Sequence, residues 1–368
     1  MNKRLLTLAA ICVLLFPSCQ LGRFIWYNFS DITDHNIFPA RALPASVIPF
    51  TFYKDEQKQI APKSVEINGK SQPFESFLKE RETVAFMVIR NDSILYERYF
   101  SDYDSASIVA SFSMAKSYTS ALIGCAIDDG LIGSVNDPIT KYIPEMGKNG
   151  FDKVTIRHLL QMTSGIQFNE SYYNPFGDAA TFYYGRKLEK KTLQLKLASE
   201  PGMRFEYTSG STQLLGQVLA RALKTESVTQ YLERKLWKPM QTEFSGSWSI
   251  DKKGGMEKTF CCLNARARDF AKFGRLYLNK GNWNGTQLVP ASWVEESTKA
   301  DRADGGAAFY KYQWWLETDN LNQYCAQGHL GQYIFVDKAK KMIVVRLGSG
   351  YGKMDWTFIA SSLVNQIP

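Results

Sequence analysis

Residues 111–130 read SFSMAKSYTSALIGCAIDDG. Met114, Ala115, Tyr118, Ala121, Leu122, Cys125 and Ala126 recur at helical spacing, which predicts a helix over 113–129 closed by Gly130. Ser111 or Ser113 is placed to cap it. Ser113 and Lys116 stand three residues apart, so hydroxyl and amine share a face and can meet. At a helix start the unpaired N–H groups and the dipole favour negative charge. A serine hydroxyl is a weak nucleophile until a base takes its proton. A lysine becomes that base when burial lowers its pKa. A capped surface helix with a solvated lysine shows the same pattern, so the surroundings decide. Two further copies fail that test: Ser76 and Lys79 lie in a charged stretch, and Ser249 and Lys252 run into a Gly-Gly loop.

Upstream, residues 84–90 (VAFMVIR) and 94–100 read as two strands joined by the turn Asn91-Asp92-Ser93, a hairpin. Residues 74–81 suit a short helix. Residues 20–73 carry weak periodicity and five prolines, which predicts an extended segment packed on the main domain. Downstream, helical periodicity marks 155–162, 211–223, 227–237, 265–279 and 291–298, and 166–185 reads as a loop rich in Tyr, Asn and Gly. Strand patterns return at 312–317, 323–327, 333–336 and 342–347, and a helix over 355–364 closes the chain. Strands at both ends with helices between predict an α/β (α+β) architecture: one antiparallel sheet built from both termini of the domain, with a helical insert packed on it.

The chain has 368 residues, 45% hydrophobic and 22% charged, with a net charge of +8. That composition excludes a disordered chain and is ample for a sizeable core. Lys and Arg are dispersed, which argues against a nucleic-acid partner. Lys3 and Arg4 followed by the mostly apolar residues 5–16 form a signal-peptide pattern over 1–18. Pro17-Ser18-Cys19 resembles a bacterial lipoprotein signal, with lipidation at Cys19, although Phe16 stands where those signals usually carry Leu. The expectation is export to the cell envelope, held to the membrane by that lipid or by an uncleaved leader. The aromatic stretch Phe24 to Tyr27 suits a membrane interface. Apart from Cys12 and Cys19, the cysteines are Cys125, Cys261, Cys262 and Cys325, which is not a disulfide framework. With three histidines and no HExxH or CxxC, neither a metal nor another cofactor is expected.

Four further segments extend the pattern around Ser113: His158-Leu-Leu-Gln-Met-Thr-Ser-Gly165, Pro201-Gly-Met-Arg-Phe-Glu-Tyr-Thr-Ser209, Ala267-Arg-Asp-Phe-Ala-Lys-Phe-Gly274 and Gly328-His-Leu-Gly-Gln332. In this order they resemble the serine β-lactamase and penicillin-binding-protein superfamily, in its class C-like branch. That branch includes family VIII esterases, D-aminopeptidases and 6-aminohexanoate-dimer hydrolases. The resemblance covers about 80–366 and implies a β-lactamase/transpeptidase-like domain over 80–368, preceded by the segment 19–79. It implies Ser113 as nucleophile, Lys116 and Tyr207 as proton shuttle, and the backbone N–H groups of Ser113 and Gln332 as oxyanion hole. Ser209 stands where lactamases usually have Asn. His329 stands where they have Lys, so a fixed cation for a substrate carboxylate is missing; its ring would instead bond substrate or Tyr207. Gly331 would let substrate approach the strand edge. Tyr172, Tyr173, Asn174 and Asp178 are candidate contacts on the cleft wall. Trp314 and Trp315 must face opposite sides of a strand.

The leading expectation is a serine hydrolase acting on a small-molecule ester or amide. The alternatives are a β-lactamase or D-Ala peptidase activity, an acylated sensor without turnover, and a Ser-His-Asp triad through His329. The last is disfavoured by the absence of GxSxG.

Overall fold

The computed structural model describes residues 20–27, 29–54, 60, 64–67 and 70–367; the expected leader and Cys19 lie outside them. The first elements are helix α1 (Gln20–Tyr27), strand β1 (Tyr53–Lys54) and helix α2 (Phe74–Glu80). The predicted hairpin forms β2 (Thr83–Arg90) and β3 (Ser93–Tyr99). The C-terminal strands are β4 (Tyr310–Lys311), β5 (Trp314–Leu316), β6 (Gln323–Gly328), β7 (Gln332–Asp337) and β8 (Met342–Gly348). They join one eight-stranded sheet in the order β4-β5-β6-β7-β8-β2-β3-β1. The closing pair is β2 with β8, antiparallel, with Arg90 opposite Met342 and Ala85 opposite Leu347. The two ends of the domain therefore meet at the centre of the sheet, as the strand-helix-strand order predicts.

The unbroken apolar run of β2 has a physical cause. Met87 and Ile89 point into the larger core, while Phe86 and Val88 point into a second one on the other face. A strand buried on both faces needs apolar residues at every position. The second core is closed by α2 and by the last helix, through Phe74, Phe77, Trp356 and Leu363.

The insert supplies α3 (Ala115–Asp128), α4 (Ile156–Leu160), α5 (Asp178–Tyr184), α6 (Ser209–Leu223) and α7 (Ala267–Leu278), and α8 (Trp356–Gln366) ends the chain. The segment Ala267 to Gly274 opens α7. A Cβ on Gly274 would lie 2.8 Å from Ile343 and 2.9 Å from Ile334, so glycine lets this helix sit against the sheet. A second sheet pairs Ala40–Leu43 with Gly246–Ser249, then Leu263–Ala265, then Val109–Ala110.

Three expectations need correction. The described residues within 20–73 are not one extended segment, because α1 precedes short strands. Its residues 23–24 are buried against Tyr184 through a hydrogen bond from Arg23 and a ring contact from Phe24. The stretch 166–185 is not one loop: it starts with a short strand, Ile166–Gln167, and ends in α5. Finally, neither Ser111 nor Ser113 caps α3. A turn of 3-10 helix, Phe112–Met114, leads into it, and Ser111 Oγ bonds the Phe112 carbonyl instead.

Candidate active site

Strand Val109–Ala110 and α3 run in different directions, and the chain turns between them at Phe112. Phe112 has φ +44°, a conformation that costs a non-glycine residue about 1–2 kcal/mol. Its ring is held by Tyr183 and His329. The turn presents Ser113 at the head of α3, half-buried, facing an apolar cavity of about 40 Å³.

One helical step further, Lys116 is 1% exposed. Its Nζ lies 2.9 Å from Ser113 Oγ, 3.2 Å from Ser209 Oγ and 2.8 Å from the Phe260 carbonyl. Burial lowers its pKa to about 8, against a partly opposing pull from the Glu170 carboxylate. The amine is thus a base poised near neutrality. At Ser76 and Lys79 both side chains are exposed on α2, which separates the working pattern from its copy.

Tyr207 precedes α6. Its ring centroid is 5.1 Å from Lys116 Nζ, beside the Ser113–Lys116 pair. Burial, with Glu170 adding to it, raises its pKa well above the usual phenol value. It therefore stays protonated at neutral pH and can relay a proton without serving as a phenolate base. The segment from His158 to Gly165 fixes this position. Its Met162 carbonyl accepts Glu206 N at 2.7 Å, its Thr163 carbonyl accepts Gly202 N at 2.7 Å, and Ser164 Oγ bonds Ser211 Oγ at 2.8 Å. His158 itself works locally: its Nδ1 accepts from Thr155 N at the start of α4. Trp314 is fully buried, while Trp315 packs on the Tyr207 ring at 5.5 Å, so the two face opposite sides as expected.

The turn between β6 and β7 lies against Ser113. A Cβ on Gly328 would meet the Ser111 carbonyl at 2.3 Å, so this glycine permits the close backbone approach. Gly331 has a different reason from the expected one. It has φ +77°, and a Cβ there would strike Arg346 Nη1 at 2.1 Å rather than face substrate. The Gln332 side chain ties the turn to β8, donating to the Gly348 carbonyl at 2.6 Å and accepting from Gly348 N at 3.1 Å. His329 lines the cavity, but it pairs with Tyr351 Oη at 2.9 Å and not with Tyr207. Burial lowers its pKa to about 4, so the ring is neutral at physiological pH.

On the wall, Tyr172 lines the cavity and touches the His329 ring at 4.8 Å. Asp178 does not reach the cavity. It heads α5, where its carboxylate accepts Asn169 N at 2.8 Å. Tyr173 and Asn174 do not line the cavity either.

Sequence reading misses Glu170. Its carboxylate accepts from Ser209 N at 2.7 Å, Ser209 Oγ at 2.6 Å and Tyr172 Oη at 3.1 Å, so it ties wall to floor. Nothing in the local sequence distinguishes it from a solvated loop charge. Asp34 is also missed: it accepts from Tyr183 Oη at 2.5 Å, so the N-terminal segment supports a cavity wall. Cys261 lines the cavity, and it is bonded to Cys262 as a disulfide between neighbours, contrary to the expectation for the cysteines. No group of side chains with metal-binding geometry occurs among the described residues.

Comparison with known proteins bears on the family and the fold. The Beta-lactamase family model matches residues 72–360. A 6-aminohexanoate-dimer hydrolase from Paenarthrobacter ureafaciens is 26% identical over 296 residues, covering 75% of this chain and 74% of that one. A solved structure from Bacillus anthracis, named as a candidate 6-aminohexanoate-dimer hydrolase, superposes with TM-score 0.79 at 23% identity, over 91% of this chain and 92% of that one. A family VIII carboxylesterase superposes with TM-score 0.60 at 17% identity, over 77% and 89%. The chain belongs to the Beta-lactamase family and is a serine hydrolase of the serine β-lactamase superfamily.

Proposed function

We propose that this chain is an exported hydrolase that cleaves an ester or an uncharged short amide through an acyl-enzyme on Ser113. The observation that carries the reading is the buried Lys116 amine 2.9 Å from Ser113 Oγ. With a pKa of about 8, about a tenth of the lysine is neutral at pH 7. That fraction takes the Oγ proton as oxygen attacks the carbonyl carbon. The oxyanion is held by the backbone N–H groups of Ser113 and Gln332, whose segments the Gly328 contact draws together. Tyr207 relays the proton to the leaving oxygen or nitrogen, and the acyl-enzyme forms. Water then attacks the acyl carbon, giving its proton back along the same route, and the acid and free Ser113 are released.

The cavity favours a neutral acyl group. Phe112, Tyr183, Tyr184 and Phe260 line it, and no Lys or Arg does. Neutral His329 offers no counter-ion to a substrate carboxylate. This points away from carboxylate-bearing lactams and D-Ala peptides, whose binding would leave a buried charge unpaired.

Attachment to the envelope membrane is part of the proposal. It is supported by the leader pattern and by the outer face of α1, where Trp26 is 67% exposed beside exposed Ile25. Phe29, beyond the helix, is exposed and touches exposed Tyr173. Tryptophan and tyrosine favour this kind of interface. Among the described residues no helix is long and apolar enough to cross a membrane. A Cys19→Ser chain that still incorporates labelled palmitate would refute lipidation there.

Hydrolysis of p-nitrophenyl butyrate tests the central reading. Wild type turns over, and Ser113→Ala falls to background with an unchanged circular dichroism spectrum. Turnover retained in Ser113→Ala would refute it.

A further inference from the structure

We infer that the Cys261–Cys262 disulfide is a positioning element for the catalytic lysine: it locks the Phe260 carbonyl onto Lys116, and its reduction disables the enzyme. The inference rests on the hydrolase reading and goes beyond it by placing a redox-labile bond one residue from a hydrogen bond the base depends on.

Five observations carry it. The Phe260 carbonyl accepts from Lys116 Nζ at 2.8 Å and is the only backbone group among the described residues that bonds this amine. Cys261 follows at once and lines the same cavity as Ser113. Its bond to Cys262 closes a small ring through the intervening peptide. Within that ring Cys262 has φ +69°, a left-handed conformation that a residue with a Cβ adopts only when its surroundings impose it. The flanks are pinned: Trp248 Nε1 donates to the Cys261 carbonyl at 2.9 Å, and Ser249 N to the Cys262 carbonyl at 3.0 Å. The backbone on the far side of the pair is thus anchored to the second sheet. On the near side, the peptide that carries the Phe260 carbonyl is held by Cys261 N, which donates to the Lys258 carbonyl at 3.0 Å, and the ring fixes how that peptide sits against the anchored Cys262.

Opening the ring removes the covalent constraint on Cys262, and φ relaxes toward the ordinary negative range. The Phe260 carbonyl then turns on the lysine. The chemistry is thiol–disulfide exchange. A dithiol such as dithiothreitol attacks one sulfur as its thiolate and forms a mixed disulfide, and the displaced sulfur takes a proton. The second dithiol sulfur closes the reagent into its cyclic disulfide and releases the other cysteine as a thiol. The protein gains two electrons and two protons, and the reagent loses them. Both cysteines are buried, so reagent reaches them through the cavity mouth, which gives a small dithiol an advantage over a folded reductase.

The experiment uses the full chain in detergent. Alkylation with iodoacetamide before and after dithiothreitol, followed by peptide mass spectrometry, reports the state of the pair without reference to activity. The same samples are assayed for ester hydrolysis against pH and for the rate of Ser113 labelling by a fluorophosphonate. The second readout separates failure of this inference from failure to find a substrate. The expected result is a pair that alkylates only after reduction, and a roughly tenfold or greater loss of kcat on reduction, the scale of a misplaced catalytic group. The rising pH limb should also move downward, because the carbonyl that stabilises the charged amine is lost. A general loss of folded protein would lower the rate without moving that limb. Cys261→Ser/Cys262→Ser should show the same loss and the same shift, and should ignore dithiothreitol. It decides the matter if the wild-type pair resists reduction. A reduced pair with unchanged rate and limb would overturn the inference, as would an air-purified enzyme in which both thiols alkylate directly.

Discussion

The floor and the wall of the cleft are built by different means. The floor is made of helix starts: Ser113 and Lys116 at the head of α3, Tyr207 and Ser209 at the head of α6, and the Phe260 carbonyl between them. Its contacts are short, directional and buried. The wall is made of aromatic rings from separate stretches: Tyr172, Tyr183, Tyr184 and the rings that meet His329 edge-on or tilted. Among the described residues, the Glu170 carboxylate ties the two together, accepting two hydrogen bonds from Ser209 and one from Tyr172. The difference teaches where chemistry and where selectivity reside. In the proposed mechanism the floor groups act on the transition state, so their loss should fall on kcat. Wall groups set what fits and should act mainly on KM.

Three substitutions test that division. Tyr207→Phe keeps the ring on Trp315 but removes the proton relay, and should lower kcat by roughly 10²–10⁴, the range for a general acid–base group. A loss of that size in KM alone would place Tyr207 on the wall. Glu170→Gln keeps the size of the tie but removes its charge. That carboxylate supports the charged form of Lys116, so the rising pH limb should move to lower pH, with a kcat loss of roughly tenfold. An unmoved limb would mean that Glu170 only braces the loop. Tyr172→Ala should have the smallest effect, a rise in KM of roughly two- to tenfold with kcat retained, the scale of one aromatic contact. A collapse in kcat would assign Tyr172 to the chemistry.

The same division explains what was legible in the sequence. The floor follows from local rules. The apolar spacing of 114–126 gives α3, the three-residue offset brings Ser113 and Lys116 together, and the two-sided burial of β2 writes an unbroken apolar run. Resemblance to a family supplied Tyr207, which periodicity alone could not pick out among the other tyrosines. The wall depends on contacts between distant segments. Asp34 meets Tyr183, and Glu170 meets Ser209, across separations that no short pattern encodes. Asp178, equally acidic and in the same stretch, was placed at the substrate, whereas it heads α5. The reference pKa of histidine predicts a neutral His329 ring, and burial lowers that pKa further, but its partner is Tyr351 from beyond β8 and not Tyr207. The segment 328–332 is legible as a motif, with Gly331 expected to admit substrate to the strand edge. That Gly331 makes room for Arg346 is not legible, because that arginine arrives from the neighbouring strand.

The claim on which the rest depends is that the base is Lys116 and not His329. The most direct measurement is the pH dependence of kcat/KM for ester hydrolysis, in wild type and in His329→Gln. Neutral lysine is the active form, so kcat/KM should rise about tenfold per pH unit up to a bend near pH 8 and level off above it. The bend should stay near pH 8 in His329→Gln. A bend in wild type near pH 4, where His329 titrates, that disappears in His329→Gln would contradict the account.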